Sequence, residues 1–269
     1  MLEIIHYTFF QNALMGALLV SICCGILGTY VVTRRLVFIT GGITHASFGG
    51  LGVGFFAGWN PIVTAIVFAI LSAFGVEWLS KKQAVREDSA IAVFWALGMA
   101  IGIIFIFMTP GFTPGLTEFL FGNILTITGK DLIWFAGFTF LLTLFIALFL
   151  RAIIYVAFDR EFARVRNLPV RFIEYTMMIF IAIAIVLSIR MIGIVLLMSV
   201  ITLPQMISSL FVNDFTKIML GSVVTCLSAC VTGLFLSYQL NVPAGACIVF
   251  ILVLFYLLGK TIKKLQLRQ

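Results

Sequence analysis

The sequence predicts an all-α, polytopic integral membrane helical bundle of about eight to nine transmembrane helices, and three observations predict it. First, 62% of the 269 residues are hydrophobic and only 10% are charged, against roughly 25% charged in a soluble domain. Second, the apolar residues fall in blocks of roughly 20, enough to cross the hydrocarbon layer as helix. Third, the alternating pattern of a membrane β-barrel is absent. Lipid offers backbone N–H and C=O groups no partner, so blocks of this kind must satisfy their own hydrogen bonds as helices.

In chain order, crossings are predicted near residues 11–32, 37–59, 61–79, 89–109, 132–157, 171–189, 191–211, 219–239 and 244–259. The opening MLEIIHYTFF contains Glu3 and has no basic n-region, which predicts no cleavable leader. Residues 112–128, FTPGLTEFLFGNILTIT, are too polar and too interrupted by Gly and Pro to face lipid. They suit a short or re-entrant helix held inside protein. The sequence Ile189-Arg190-Met191 marks a break, either a loop or a kink within one long segment. No linker, tandem repeat or low-complexity stretch divides the chain, so one domain is expected over residues 1–269.

Nine crossings with the N-terminus outside place 15 of the 17 Lys and Arg residues on one side; only Lys130 and Arg190 fall on the other. That asymmetry orients the chain with its C-terminus in the cytoplasm. It also accounts for the net charge of +7 without nucleic acid, since the basic residues sit in short loops between apolar blocks.

Little in the sequence suits catalysis. There are two histidines, His6 and His45, and the ten acids lie at segment ends or in loops, so no cluster of nucleophile, base and acid forms. Gly259-Lys260-Thr261 resembles the end of a phosphate-binding loop, but Leu254 stands where such a loop has its first Gly. The segment also closes an apolar helix instead of opening one after a strand. The five cysteines have no zinc-site spacing and read as small packing residues.

The second span is the most informative. Small residues recur every four positions at Gly42, Ala46, Gly50, Gly54 and Gly58, a spacing that stacks them on one face where another backbone can approach. His45 stands beside that stripe, the only ionisable group within the span. An intramembrane imidazole is either a metal ligand or proton relay facing a wet pathway, or a donor of one hydrogen bond to a neighbouring helix. Both readings stay open on the residues alone. Between the fifth and sixth crossings lies FDREFARVRNLPVR, residues 158–171. Phe162 and Val165 share one side of a short helix that Pro169 would end. Such a helix suits docking into a groove on a partner, against the alternative of a solvated loop.

These stretches, together with GILGTYVVTRRL, REDSAIAVFWALGMAIG, FLFGNILTIT, IRMIGIVLLMSVITLPQ and LSYQLNVPAGACIVF, resemble in order and spacing the permease subunits of bacterial ATP-binding-cassette importers for zinc, manganese and related divalent ions. The resemblance covers nearly the whole chain. It implies a type II importer fold in the bacterial cytoplasmic (inner) membrane, a homodimeric pore, a pair of cytoplasmic ATPase subunits and an extracytoplasmic metal-binding receptor. It implies zinc or manganese as transported substrate, with no permanent cofactor. It also implies that Asp159, Arg160, Glu161, Phe162 and Ala163 take the ATPase stroke, and that His45 is a metal ligand. Members of the family commonly carry an Asp one turn before that histidine; here the position is Gly41. Thr44, Ser47, backbone carbonyls or a second copy's His45 would then have to complete a site, unless His45 is structural. Two alternatives remain: the same architecture importing a metal chelate, and an ion-coupled secondary transporter. The latter would need buried carboxylates at the midplane.

Overall fold

The structure, a computed structural model, describes residues 7–82, 85–111, 122 and 127–266. Ten helices and no strand occur among the described residues: α1 (Thr8–Thr33), α2 (Val37–Ala57), α3 (Pro61–Lys82), α4 (Glu87–Met108), α5 (Gly129–Phe158), α6 (Arg160–Val165), α7 (Val170–Ile192), α8 (Ile194–Ser209), α9 (Phe215–Leu240) and α10 (Ala244–Gln266). All nine predicted crossings are helices. Seven of them are long and apolar enough to span a bilayer by length and composition. The other two are α2, whose Gly, Thr, Ser and His residues dilute its apolar character, and the 16-residue α8.

Helix starts and stops follow local chemistry. The Thr128 hydroxyl accepts from the Asp131 amide while the Asp131 carboxylate accepts from the Thr128 amide, a capping box that opens α5. Asp214 accepts from the Lys217 amide at 2.9 Å and opens α9. At its 30 residues, α5 is about 45 Å long, longer than the hydrocarbon layer, and its end carries the chain to α6 beyond it.

The break between the sixth and seventh crossings is sharper than the sequence suggested and lies later. Helix α7 continues through Arg190 to Ile192, and the chain turns at Gly193 (φ 80°, ψ 164°), a backbone region open essentially to glycine alone. The expected re-entrant element at 112–128 lies outside the described residues, except Gly122, Ile127 and Thr128. Gly122, at φ 67°, packs against this same turn, where a Cβ would reach the Ile192 and Gly193 backbone.

Of the seven long spans, α1 is the most buried. Its small residues admit close neighbours: a Cβ on Gly25 would lie 2.8 Å from the Val223 amide of α9, and one on Gly28 would collide with Ile201 and Gln205 of α8. Gln205, itself buried, donates from Nε2 to the Cys24 carbonyl at 2.6 Å. All five cysteines are free and buried. By contrast Phe107, Trp134, Phe140 and Leu148 are more than two-thirds exposed. An apolar exterior of this kind requires lipid or protein around it.

Candidate translocation site and coupling surface

Helix α2 is wedged between α3 and α4, its most extensive neighbours, and the small residues decide how close it comes to each. Gly42 and Ala46 lie against α4: a Cβ on Gly42 would sit 2.8 Å from Ile91 Cγ2, and one on Gly98 would strike the Ala46 backbone. Gly50 and Gly54 lie against α3, with 2.7 Å from a Gly50 Cβ to Ala65 Cα and 2.8 Å from a Gly54 Cβ to Pro61 Cα. Gly58 meets nothing within 4 Å; it is the left-handed cap of α2 at φ 68°. Gly49 and Gly52, outside the stripe read from the sequence, face the carbonyls of Gly98 and Gly102, which a Cβ on each would approach to 2.9 and 2.5 Å. The α2–α4 seam is thus built by glycines on both helices.

His45 rides at this seam. Its ring stacks on Trp95 of α4, centroids 3.9 Å apart and planes 12° from parallel. Its Nδ1 is buried and has no hydrogen-bond partner among the described residues. The hydrogen bond to a neighbouring helix that a structural histidine would make is therefore not formed from that atom. Thr44 and Ser47 send their hydroxyl protons to carbonyls of their own helix, Thr40 at 2.6 Å and Thr44 at 2.7 Å. Among the described residues no group of three or more His, Cys, Asp or Glu side chains could hold a metal. Those residues therefore form no tight preformed cage of such side chains at His45.

The second region is the basic end of the bundle. Asp159 caps α6, accepting from the Glu161 and Phe162 amides at 3.0 Å each, and Asn167, left-handed at φ 55°, turns the chain away after it. Ala163 is fully buried beneath the short helix, while Phe162 and Val165 are 41% and 80% exposed. Arg166 lies over the Phe162 ring at 5.3 Å, and Glu161 pairs with Arg164 at 2.6 Å.

Arg160 points the other way, to a partner the sequence did not reveal. Glu174 of α7 takes Arg160 on Oε2 and Arg34 on Oε1, the latter at 2.8 Å. Arg34 also donates to the Val156 carbonyl of α5 at 3.1 Å. It stands at the turn between α1 and α2, next to Arg35 in the left-handed region at φ 59°. One carboxylate thus ties the exposed helix α6 to the turn from which α2, with His45, begins. A cavity of about 350 Å³ opens beside this triad, and Glu77 and Glu87 are among the residues lining it. Sequence reading missed Glu174, Arg34 and Trp95. Only Glu174 left a signal, as an acid in the first turns of a crossing that starts on the basic side.

Comparison with known proteins bears on what this arrangement serves. The profile of the ABC 3 transport family matches residues 6–263. An uncharacterised membrane protein of Synechocystis is 34% identical over 98% of this chain and 94% of its own length. The manganese import system permease protein ScaB of Streptococcus parasanguinis is 28% identical over 94% and 90%. The solved structure of PsaBC from Streptococcus pneumoniae in complex with a Fab superposes with a TM-score of 0.87, at 28% identity, covering 94% of this chain and 91% of that one.

Proposed function

The chain belongs to the ABC 3 transport family, and from that membership we propose how it works as the membrane-spanning permease of an ATP-binding-cassette importer for divalent metal ions. The permease is not an enzyme; ATP hydrolysis belongs to a separate subunit. The observation that carries the reading is the near-complete alignment with a relative named a manganese import permease.

Zinc or manganese is the cargo, written here as substrate. Two copies of the chain form the pore in the bacterial inner membrane, with the C-terminus and the basic end cytoplasmic. That orientation rests on the 15-to-2 distribution of Lys and Arg. A receptor outside delivers the ion, and an ATPase dimer inside grips Asp159 to Ala163 through the exposed faces of Phe162 and Val165. As ATP draws the ATPases together, α6 moves, and the Arg160–Glu174–Arg34 triad carries the displacement to the α1–α2 turn. His45 then meets the ion during its transit on α2. A site with few ligands suits this task, because a conductor must release what it holds.

Uptake of radiolabelled manganese or zinc by cells lacking the chain, its ATPase and its receptor tests the proposal. Uptake should return only when chain, ATPase and receptor are all supplied. Restoration by the chain without its ATPase would refute the reading.

A further inference from the structure

Gly41 lies one helical turn before His45 and brings no side chain, but the space beside it is filled. Met198 of α8 reaches across to α2 there. A Cβ placed on Gly41 would lie 3.0 Å from Met198 Cε and 3.2 Å from its Sδ. The same point lies 3.6 Å from the ring of Trp95, the indole on which His45 stacks. Thr40 Oγ1 stands 3.7 Å from the Met198 sulfur and steadies it against α2. Three helices therefore bring a thioether and an imidazole to adjacent turns of α2, roofed by one indole.

From this juxtaposition we propose that Met198 and His45 form the metal-selecting pair of the conduit, and that the pair favours zinc over manganese. The inference rests on the permease reading above and goes further by assigning Met198 and the ion. Residues one turn apart on a helix face are neighbours, about 5–6 Å between Cβ positions, so donors at Gly41's place and at His45 can address one ion. Stacking on Trp95 covers a face of the imidazole and does not block its nitrogens, which ligate in the ring plane. Nδ1 is buried with no hydrogen-bond partner among the described residues. A thioether is a soft donor and an imidazole a borderline one; zinc accepts both, whereas manganese prefers carboxylate, carbonyl and water. Two donors leave the remaining positions for water or for the same pair from a second copy, which keeps the site weak enough for transit.

Equilibrium dialysis of the chain with its ATPase in lipid nanodiscs, without receptor, against zinc or manganese ions tests the pair. Wild type should bind zinc more tightly than manganese. Met198→Leu preserves volume and packing while removing the sulfur. It should weaken zinc by about tenfold or more, a scale that even a residue behind a ligand reaches, and leave manganese unchanged. Gly41→Asp places a Cβ that the flexible end of Met198 accommodates by a few tenths of an ångström; its carboxylate must displace that end further, and it should raise manganese affinity. An unchanged zinc-to-manganese ratio in Met198→Leu, with wild-type binding intact, overturns this inference alone and leaves Met198 as packing. Preference of the wild type for manganese overturns it as well. Absence of saturable binding of either ion by the wild type overturns both this inference and the placement of the transit site at His45.

Discussion

Replacing Glu174 by alanine removes the carboxylate that two guanidinium groups share. The side chains of Glu174 and Arg34 are 15% and 17% exposed, whereas Arg160 is 34% exposed. A charge-assisted hydrogen bond away from water contributes about 1.5–3 kcal/mol, and a pair open to solvent about 1 kcal/mol or less. The Arg34 arm should then account for about 2 kcal/mol and the Arg160 arm for about 1 kcal/mol. A total loss of about 3 kcal/mol lowers the melting temperature of a chain this size by about 6–12 °C. Tryptophan fluorescence of the purified protein in detergent reads this directly, with Arg160→Ala as the internal comparison at about a third of the effect. Function should separate from stability: with the ATPase bound, Glu174→Ala keeps hydrolysing ATP while metal uptake falls, because α6 no longer pulls on the α1–α2 turn. Equal and small shifts for both variants, below about 1 kcal/mol, would show that the triad holds nothing. Unchanged uptake per ATP would show that it transmits nothing.

Other expectations concern the two faces of α2 and the ends of the pathway. Gly50→Ala places a methyl 2.7 Å from Ala65 Cα and should cost about 1–3 kcal/mol by forcing α2 from α3. Gly58→Ala meets open space and should cost only the left-handed backbone penalty of about 1–2 kcal/mol, so proteolysis by trypsin should distinguish the two. Phe162→Ala removes the apolar centre of the exposed helix and should weaken ATPase binding by about 2 kcal/mol, read by titration of the ATPase against the permease in nanodiscs. His45→Ala should cut uptake by about tenfold or more with subunit assembly intact; wild-type uptake would remove His45 from the pathway.

Much of the fold was legible because lipid permits one solution to a run of 20 apolar residues, so apolar runs alone locate the seven long spans. The boundaries that mattered most were written in single residues whose effect is conformational. The turn between α7 and α8 sits at Gly193, where the backbone needs glycine, and not at Arg190, where polarity drew attention. The small-residue stripe of α2 was visible as a spacing, but spacing specifies a helix face and not what lies against it. Gly42 and Ala46 meet α4, Gly50 and Gly54 meet α3, and Gly58 ends the helix. The Arg34–Glu174 contact joins residues 140 positions apart, and the approach of Met198 to Gly41 joins two other helices. Both are products of packing, with no local periodicity to announce them. Gly41 looked like a missing ligand in the sequence; in the fold it is the space that a thioether occupies.

The chain conducts metal through lipid on energy released elsewhere. Liposomes holding the purified chain with its ATPase, receptor outside and ATP inside, measure both quantities in one vessel. Metal should accumulate and stop doing so when ATP is omitted, and the chain alone should neither accumulate metal nor hydrolyse ATP. Accumulation by the chain alone, driven by an ion gradient or by nucleotide it consumes unaided, would contradict it.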